Sequence, residues 1–257
     1  MGEEEHLARG EVYGLLSAAF AFPAEPVWAR LWGEESRRAL GTLAELGADL
    51  RTALEAFSDS GRERFVAEYS GVFGFTSGGG EIPPYEGPYG ATNFYQEADC
   101  TADVAGFYRA FGLESSEASP ERPDHIAVEL EFMHFLVVKE GYALSKGWAE
   151  KGQVCREAQK VFLKEHLGRW APVFLHRLAE RTRGGVFESI ANAAAAWIAA
   201  ECRCLEVPIQ AGELRIASFD SPATGVGFSC GADSCGADVC GSQPTTMSGA
   251  PAKEAAE

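Results

Sequence analysis

The sequence lacks the long apolar run that a membrane-spanning helix needs, which is about 18 residues or more. Its first six residues include three glutamates and no Lys or Arg, whereas a secretory signal starts with basic residues. These two features predict a protein that stays in the cytoplasm without stable membrane insertion.

Positive charge is also scarce. The chain of 257 residues has 22 Lys and Arg against 38 Asp and Glu, which gives a formal net charge of −16. Nonspecific nucleic-acid binding depends on Lys and Arg that displace counterions from phosphates, so a nucleic-acid partner is not expected. An acidic body is compatible with a cationic peptide partner, although many acidic proteins are acidic only for solubility.

The common catalytic signatures are missing as well. The chain contains no Gly-x-Ser-x-Gly elbow and no His-Glu-x-x-His zinc motif. The glycines at 78–80 are not followed by the Lys that a phosphate-binding loop requires. The sequence therefore gives no sign of nucleophilic, zinc-hydrolase or nucleotide-binding chemistry, and no cofactor is expected.

The alternation of apolar and polar residues that is typical of strands is nearly absent. Helical periodicity runs instead from the N-terminus to about residue 207, which predicts an all-α, single helical-bundle domain over residues 6–207. The predicted helices lie at 12–20, 27–31, 43–57, 65–73, 92–111, 123–137, 154–163 and 187–207, with a kinked or broken helix across 167–178.

Residues 208–257 differ in composition from the rest, being rich in Gly, Ala, Ser, Pro and Thr. Such a composition cannot bury enough apolar surface to offset chain entropy, so a flexible tail is expected. Cys230, Cys235 and Cys240 recur there with four residues between successive cysteines, and either metal binding or a tail without metal stays open. The remaining cysteines lie in helix-like segments and are expected to be reduced thiols: Cys100, Cys155, Cys202 and Cys204.

Residues 122–137 carry a well-marked helix start. Pro123 fits the first helical turn, and Asp124 there is favoured by the helix dipole. An apolar stripe follows at spacings of four, three and four, formed by Ile126, Leu130, Met133 and Val137. The helix itself has no need of His125 beside Asp124, so this pair is a candidate functional feature.

The same helix contains the spacing Glu131-x-x-His134, which di-iron helical bundles use. Such a site needs this motif from each of two helices. The other match, Glu3-x-x-His6, lies at the chain end, where fraying is expected. Glu129 and Glu131 are two residues apart and point to different sides of the helix. A helical metal-binding or di-iron oxidoreductase is the alternative interpretation, and these three points argue against it.

Four segments in the same order resemble the TorD/DmsD/NarJ family of molybdoenzyme maturation chaperones. They are Tyr-Ser-Gly-Val-Phe at 69–73, Pro-Pro-Tyr-Glu at 83–86, the helix start at 123–133, and Phe-Leu-x-x-His-Leu-x-x-Trp-x-Pro-x-Phe at 162–174. The resemblance covers roughly residues 10–205.

This resemblance implies a non-catalytic cytoplasmic chaperone. It would bind the N-terminal leader of a molybdopterin-containing oxidoreductase catalytic subunit and hold the apoenzyme until cofactor insertion, assembly or export. In many members of the family that leader is a twin-arginine signal, with arginines followed by an apolar stretch. The resemblance leaves open whether the chaperone forms a homodimer.

Carried over by position, the resemblance also implies a peptide-binding site. Val72 and Tyr85 stand where some members of the family have Leu and Trp. The plainer interpretation is that the aromatic helix face belongs to the core and that the prolines form a rigid connector. The expected peptide-binding residues are Tyr69, Val72, Phe73, Pro84, Tyr85, Glu86, Pro123, Asp124 and His125.

Overall fold

A computed structural model gives the architecture of the chain. It describes residues 3–47, 50–55, 61–74, 82–91, 93–114 and 121–208. The chain divides into a unit of residues 1–219 and a second unit of residues 220–257, and the second unit lies outside the described residues. Cys230, Cys235 and Cys240 lie in that second unit, and the predicted extent of the tail stays a prediction.

The described residues form helices and no strand, which confirms the predicted all-α fold. Within the described ranges, every helix falls short of the length and apolar content needed to span a bilayer. The helices are α1 (Glu3–Phe20), α2 (Glu25–Leu31), α3 (Glu34–Glu45), α4 (Arg51–Glu55), α5 (Arg62–Phe73), α6 (Phe94–Ala110), α7 (Ile126–Ser145), α8 (Ala149–Glu165), α9 (Leu167–Arg181) and α10 (Val186–Cys204).

Helix α7 is central to the bundle and packs against α1 and α8, while α9 packs against α10 and α8. The predicted stripe of Ile126, Leu130, Met133 and Val137 is fully buried. Helices α1 and α7 come unusually close at Gly10, where an added Cβ would lie 2.9 Å from the Val138 side chain. This close approach fixes the position of the outer face of α7.

Several predicted helix boundaries are wrong. Helices α1 and α3 begin at Glu3 and Glu34, well before the predicted starts at 12 and 43, so the motif Glu3-x-x-His6 lies in a helix and not at a frayed end, and His6 is buried. The single helix expected across 43–57 is divided into α3 and α4, because Gly47 adopts φ +78°, a conformation in which a helix ends. Pro123 and Asp124 are not in the first turn of α7. The helix begins at Ile126, and the His125 side chain is its N-cap.

Other boundary predictions agree with the structure. The broken helix expected after 163 is present, because His166, with φ −123° and ψ −102°, separates α8 from α9. Helix α6 begins at Phe94, two residues after its predicted start at 92, and is capped by Asn93, whose side chain accepts from the Gln96 N–H. The four helical cysteines are free thiols, as predicted.

Candidate functional site

The loop of residues 82–91 is fastened to the start of α7. The Glu86 N–H donates to the Asp124 carbonyl, and the Ile126 N–H donates to the Pro84 carbonyl, both at 2.9 Å. Between these bonds, Tyr85 and His125 form an isolated antiparallel bridge. We call residues 84–87 together with 122–126 the loop–α7 junction. Two of the motifs found in the sequence therefore meet in space.

Asp124 holds the junction together from inside. Its carboxylate is fully buried and accepts two hydrogen bonds from Arg122, at 2.9 and 2.8 Å. The Gly87 N–H donates a third bond at 3.1 Å. Arg122 also donates to Glu97 at 3.0 Å, and its guanidinium lies 4.8 Å from the centre of the Tyr85 ring. A buried charge needs such partners, so Asp124 acts as a structural clamp.

His125 is buried too, and it caps α7. Its Nδ1 accepts from the Ala127 N–H at 3.1 Å, and its ring meets the Tyr85 ring edge-on at 5.1 Å between centroids. Burial lowers the pKa of His125 from 6.5 to about 4, with Arg122 contributing in the same direction and Asp124 opposing it. The imidazole is therefore neutral at pH 7, as an Nδ1 acceptor must be.

Glu86 ties the junction to a third motif. Its side chain is buried, and Oε2 lies 2.9 Å from His166 Nδ1 at the start of α9. Arg169 Nη2 is 3.7 Å from the other carboxylate oxygen. Beside this pair, the Tyr89 ring packs on the Trp170 ring at 5.2 Å. The segment at 162–174 thus supports the loop rather than forming a separate site.

Glu129, which the sequence analysis did not select as a site residue, is part of the same support. It is fully buried, and Trp170 Nε1 donates to both of its oxygens at 3.1 Å. Burial, with the nearby Glu86 carboxylate, raises the pKa of Glu129 well above its ordinary value. Its place on the buried side of α7 follows from its spacing to Ile126 and Met133.

The aromatic end of α5 packs mainly inward. Tyr69 is buried, donates its hydroxyl to the Phe20 carbonyl at 3.3 Å, and contacts the Phe73 ring at 4.9 Å. Phe73 in turn meets Phe187 of α10 at 5.4 Å. Val72 and Phe73 remain half-buried. Burial raises the pKa of Tyr69, and the Glu121 carboxylate adds to this.

A cleft of about 690 Å³ opens beside the junction, over the outer face of α7. Half-buried Val128 and Phe135 form its floor, together with Val138 and Tyr142, which are 42% and 56% exposed. The other lining residues are Tyr108, Leu113, Glu114, Glu121, Pro123, Glu131, Phe132, His134 and Lys139. Among these described residues, Pro123 is the one that the sequence analysis had selected for peptide binding.

The apolar floor of this cleft is visible as a pattern in the sequence. Helix α7 carries a second apolar stripe, formed by Val128, Phe135, Val138 and Tyr142, besides its buried one. A helix that is apolar on two faces is either buried all round or leaves one face for a partner. Only the packing of α7 against α1 and α8 shows which face stays open.

The motif Glu131-x-x-His134 is not built as a metal site. Glu131 is exposed and lies 3.9 Å from Arg30, while His134 Nδ1 lies 2.7 Å from the Gly10 carbonyl. In the part of the chain that the structure describes, no group of three His, Cys, Asp or Glu side chains is placed to hold a metal ion. The tail cysteines lie outside that part.

Comparison with known proteins gives relatives over much of this chain. A chlorate reductase assembly chaperone protein from Ideonella dechloratans is 34% identical over 122 residues, which is 46% of this chain and 59% of the relative. A selenate reductase assembly chaperone protein from Thauera selenatis is 30% identical over 178 residues, covering 68% of this chain and 77% of the relative. The chaperone protein TorD from Photobacterium profundum is 25% identical over 195 residues, covering 72% and 88% of the two chains.

These relatives are named as chaperones and not as enzymes, which confirms the prediction of a non-catalytic protein. The sequence profile described as nitrate reductase delta subunit matches residues 39–176, a range that spans α3 to α9 and contains the whole junction. Both results confirm the resemblance seen in the four motifs. The chain belongs to the nitrate reductase delta subunit family of TorD-like assembly chaperones.

Proposed function

We propose that this protein is a cytoplasmic maturation chaperone that binds the N-terminal leader of a molybdopterin-containing oxidoreductase catalytic subunit. Binding would hold the apoenzyme until its cofactor is inserted and it is assembled or exported. The names of the relatives, which are assembly chaperones for chlorate and selenate reductases, support the class of client.

The observation that carries this proposal is the cleft over the outer face of α7. Its floor is apolar, and three carboxylates stand on its border, Glu114, Glu121 and Glu131. A leader with arginines followed by an apolar stretch matches both properties, because carboxylates attract arginines and an apolar floor buries apolar side chains. The overall charge of −16 favours the same kind of ligand.

The nine residues expected from the sequence take different parts in this proposal. Pro123 lines the cleft, and half-buried Tyr85 stands beside it, so both are proposed to contact the leader directly. Half-buried Val72 and Phe73 on α5 are proposed as further contacts. The fully or nearly fully buried side chains hold the cleft border in place, and they are Tyr69, Pro84, Glu86, Asp124 and His125.

A titration with the leader peptide of the client tests the site. The variant Val138→Asp puts a charge on the cleft floor, where its desolvation opposes binding of an apolar segment. We expect its affinity for the peptide to fall at least about tenfold, which corresponds to about 1.4 kcal/mol. The matched control is Val154→Asp on α8, where valine is 61% exposed and lies away from the cleft lining.

Fluorescence anisotropy with a labelled peptide gives the dissociation constants, and circular dichroism checks that both variants are folded. Equal losses in the two variants would mean that the leader binds elsewhere. Absence of binding by the wild-type protein to the leader of its client would refute leader binding itself.

A further inference from the structure

The lysines of this acidic protein are concentrated in one region. Five of the six lie between residues 139 and 164. Two of them stand on aromatic rings at the C-terminal end of α7 and the start of α8, where Lys146 Nζ is 5.5 Å from the Tyr142 ring centre and Lys151 Nζ is 4.1 Å from the Trp148 ring centre. We call Lys146 and Lys151 the lysine end. Lys139 lies nearer the middle of the cleft, 4.8 Å from the Phe135 ring centre and 5.4 Å from that of Phe111.

The opposite end of the cleft is acidic. Glu114 and Glu131 are exposed there, and Glu121 is partly exposed. Arg122, next to Glu121, is engaged by Asp124 and Glu97, and Arg30 lies 3.9 Å from Glu131. We call Glu114, Glu121 and Glu131 the glutamate end.

An apolar floor connects the two ends along one side of α7. Glu131, Phe135, Val138, Tyr142 and Lys146 follow each other at spacings of four, three, four and four, so they share one helix face. Glu131 and Lys146 are separated by fifteen residue steps, which correspond to about 22 Å at 1.5 Å per residue. The tyrosine ring at the far end meets the Trp148 ring at 6.0 Å, which extends the apolar surface into α8.

We propose that the cleft selects the segment it binds by the order of the charges along that segment. Cationic residues lie at the glutamate end, an apolar stretch lies on Phe135, Val138 and Tyr142, and an acidic residue beyond that stretch meets the lysine end. This inference rests on the proposed function, because it assigns a direction to the leader at the same site.

The dimensions of the cleft give the separation of the charges in the ligand. A span of about 22 Å corresponds to roughly seven residues of extended chain or roughly fifteen residues of helix between cation and acid.

A second copy of the chain would also offer both charges. However, two concave clefts that face each other leave hollows unfilled, whereas a single convex segment fills one cleft.

Synthetic peptides test the acidic preference. One peptide carries two arginines, an apolar stretch of leucine and alanine, and two glutamates, and its partner has glutamines in place of the glutamates. We expect the glutamate peptide to bind wild-type protein about five- to tenfold more tightly, and this preference to vanish in the double variant Lys146→Gln, Lys151→Gln. The control is Lys160→Gln, Lys164→Gln on α8, which should keep the preference.

A second pair of peptides tests the other end. Replacing the two arginines by glutamines should weaken binding to wild-type protein about tenfold, with a much smaller effect on Glu121→Gln, Glu131→Gln. Changing the protein charge and the peptide charge separately and together is a double-mutant cycle, which measures the interaction free energy between the two charges.

The outcomes separate this inference from the proposed function. If the natural leader binds but the glutamate preference is absent or survives in the Lys146, Lys151 double variant, the charge order is refuted while leader binding stands. If no leader binds, the proposed function itself fails. A wild-type dimer that Val138→Asp converts to a monomer, and that no peptide dissociates, would show that a second copy occupies the cleft and would overturn the inference.

Discussion

Glu86 and His166 are 80 residues apart in the sequence, yet Glu86 Oε2 and His166 Nδ1 lie 2.9 Å apart in the interior. This contact joins the proline-containing loop to the start of α9. Both side chains are buried, so neither can exchange its partner for water. The contact therefore determines where the loop stands relative to the bundle.

Removal of the Glu86 side chain should destabilise the protein. In Glu86→Ala, the buried imidazole of His166 loses its hydrogen-bond partner, and we expect the free energy of unfolding to fall by about 1–3 kcal/mol. The matched control is Glu165→Ala, in the residue before His166. The Glu165 carboxylate pairs with exposed Lys164, and its loss should cost less than about 0.5 kcal/mol. Urea denaturation measures both values, and similar losses in the two variants would contradict the proposed importance of the contact.

The Asp124 clamp gives a second prediction. Asp124→Asn keeps the shape of the side chain but weakens its two bonds to Arg122, so we expect a loss of about 2 kcal/mol in unfolding free energy. Asp99→Asn, on the exposed side of α6, is the control and should be nearly neutral. An Asp124→Asn protein as stable as the control would mean that the junction does not depend on this charge. Urea denaturation again provides the measurement.

The buried imidazole of His125 makes stability depend on pH. Its pKa is about 4 in the folded protein against 6.5 for an ordinary histidine, so unfolding takes up a proton between these values. The stabilising effect is complete above pH 6.5 and is lost as the pH falls towards 4. We expect wild-type protein to lose about 2 kcal/mol more than His125→Asn between pH 7.5 and pH 5.

Asparagine is chosen for this comparison because it can still cap α7 without titrating in this range. Urea denaturation at the two pH values gives the four free energies required. If wild type and variant change equally with pH, the imidazole is not held neutral in the folded protein.

Glu129 should have the opposite pH dependence. Burial raises its pKa in the folded state, so the folded protein binds a proton more strongly than the unfolded chain does. Its contribution is most favourable below the ordinary pKa of a glutamate and is lost as the pH rises towards the folded-state value. Glu129→Gln can still accept from Trp170 but carries no charge. We expect this variant to gain stability relative to wild type as the pH increases from 5 to 8.

Thermal or urea unfolding across this pH range tests the prediction. The Glu131→Gln variant, two residues away on the exposed side of α7, is the matched control and should follow wild type. A difference between wild type and Glu129→Gln that stays constant with pH would show that Glu129 is ionised in the folded protein.

The helical class of the fold followed from the sequence because spacings of three and four residues recur wherever a helix has one buried side. The inner stripe of α7, with Ile126 and Leu130, is an example. The division between α3 and α4 did not follow, since leucines continue on both sides of Gly47. The local conformation of that glycine, φ +78°, outweighed the apolar pattern.

The site was only partly predictable for a different reason. The sequence located the Pro-Pro-Tyr-Glu loop and the Asp124–His125 pair, and the structure does bring them together. It did not indicate that Asp124 and His125 would point inward, because their burial depends on Arg122 and on Tyr85, a distant partner. The open face of α7 depends on which neighbours cover that helix, which no local pattern specifies.

Trp170 has a consequence for the order of events during synthesis. Its indole N–H serves Glu129, its ring supports Tyr89, and it lies one turn from His166, the partner of Glu86. A growing chain that has not yet reached α9 therefore lacks every one of these supports. The cleft border can reach its final form only after α9 has left the ribosome, so the cleft takes shape later than the helices that precede α9 are made.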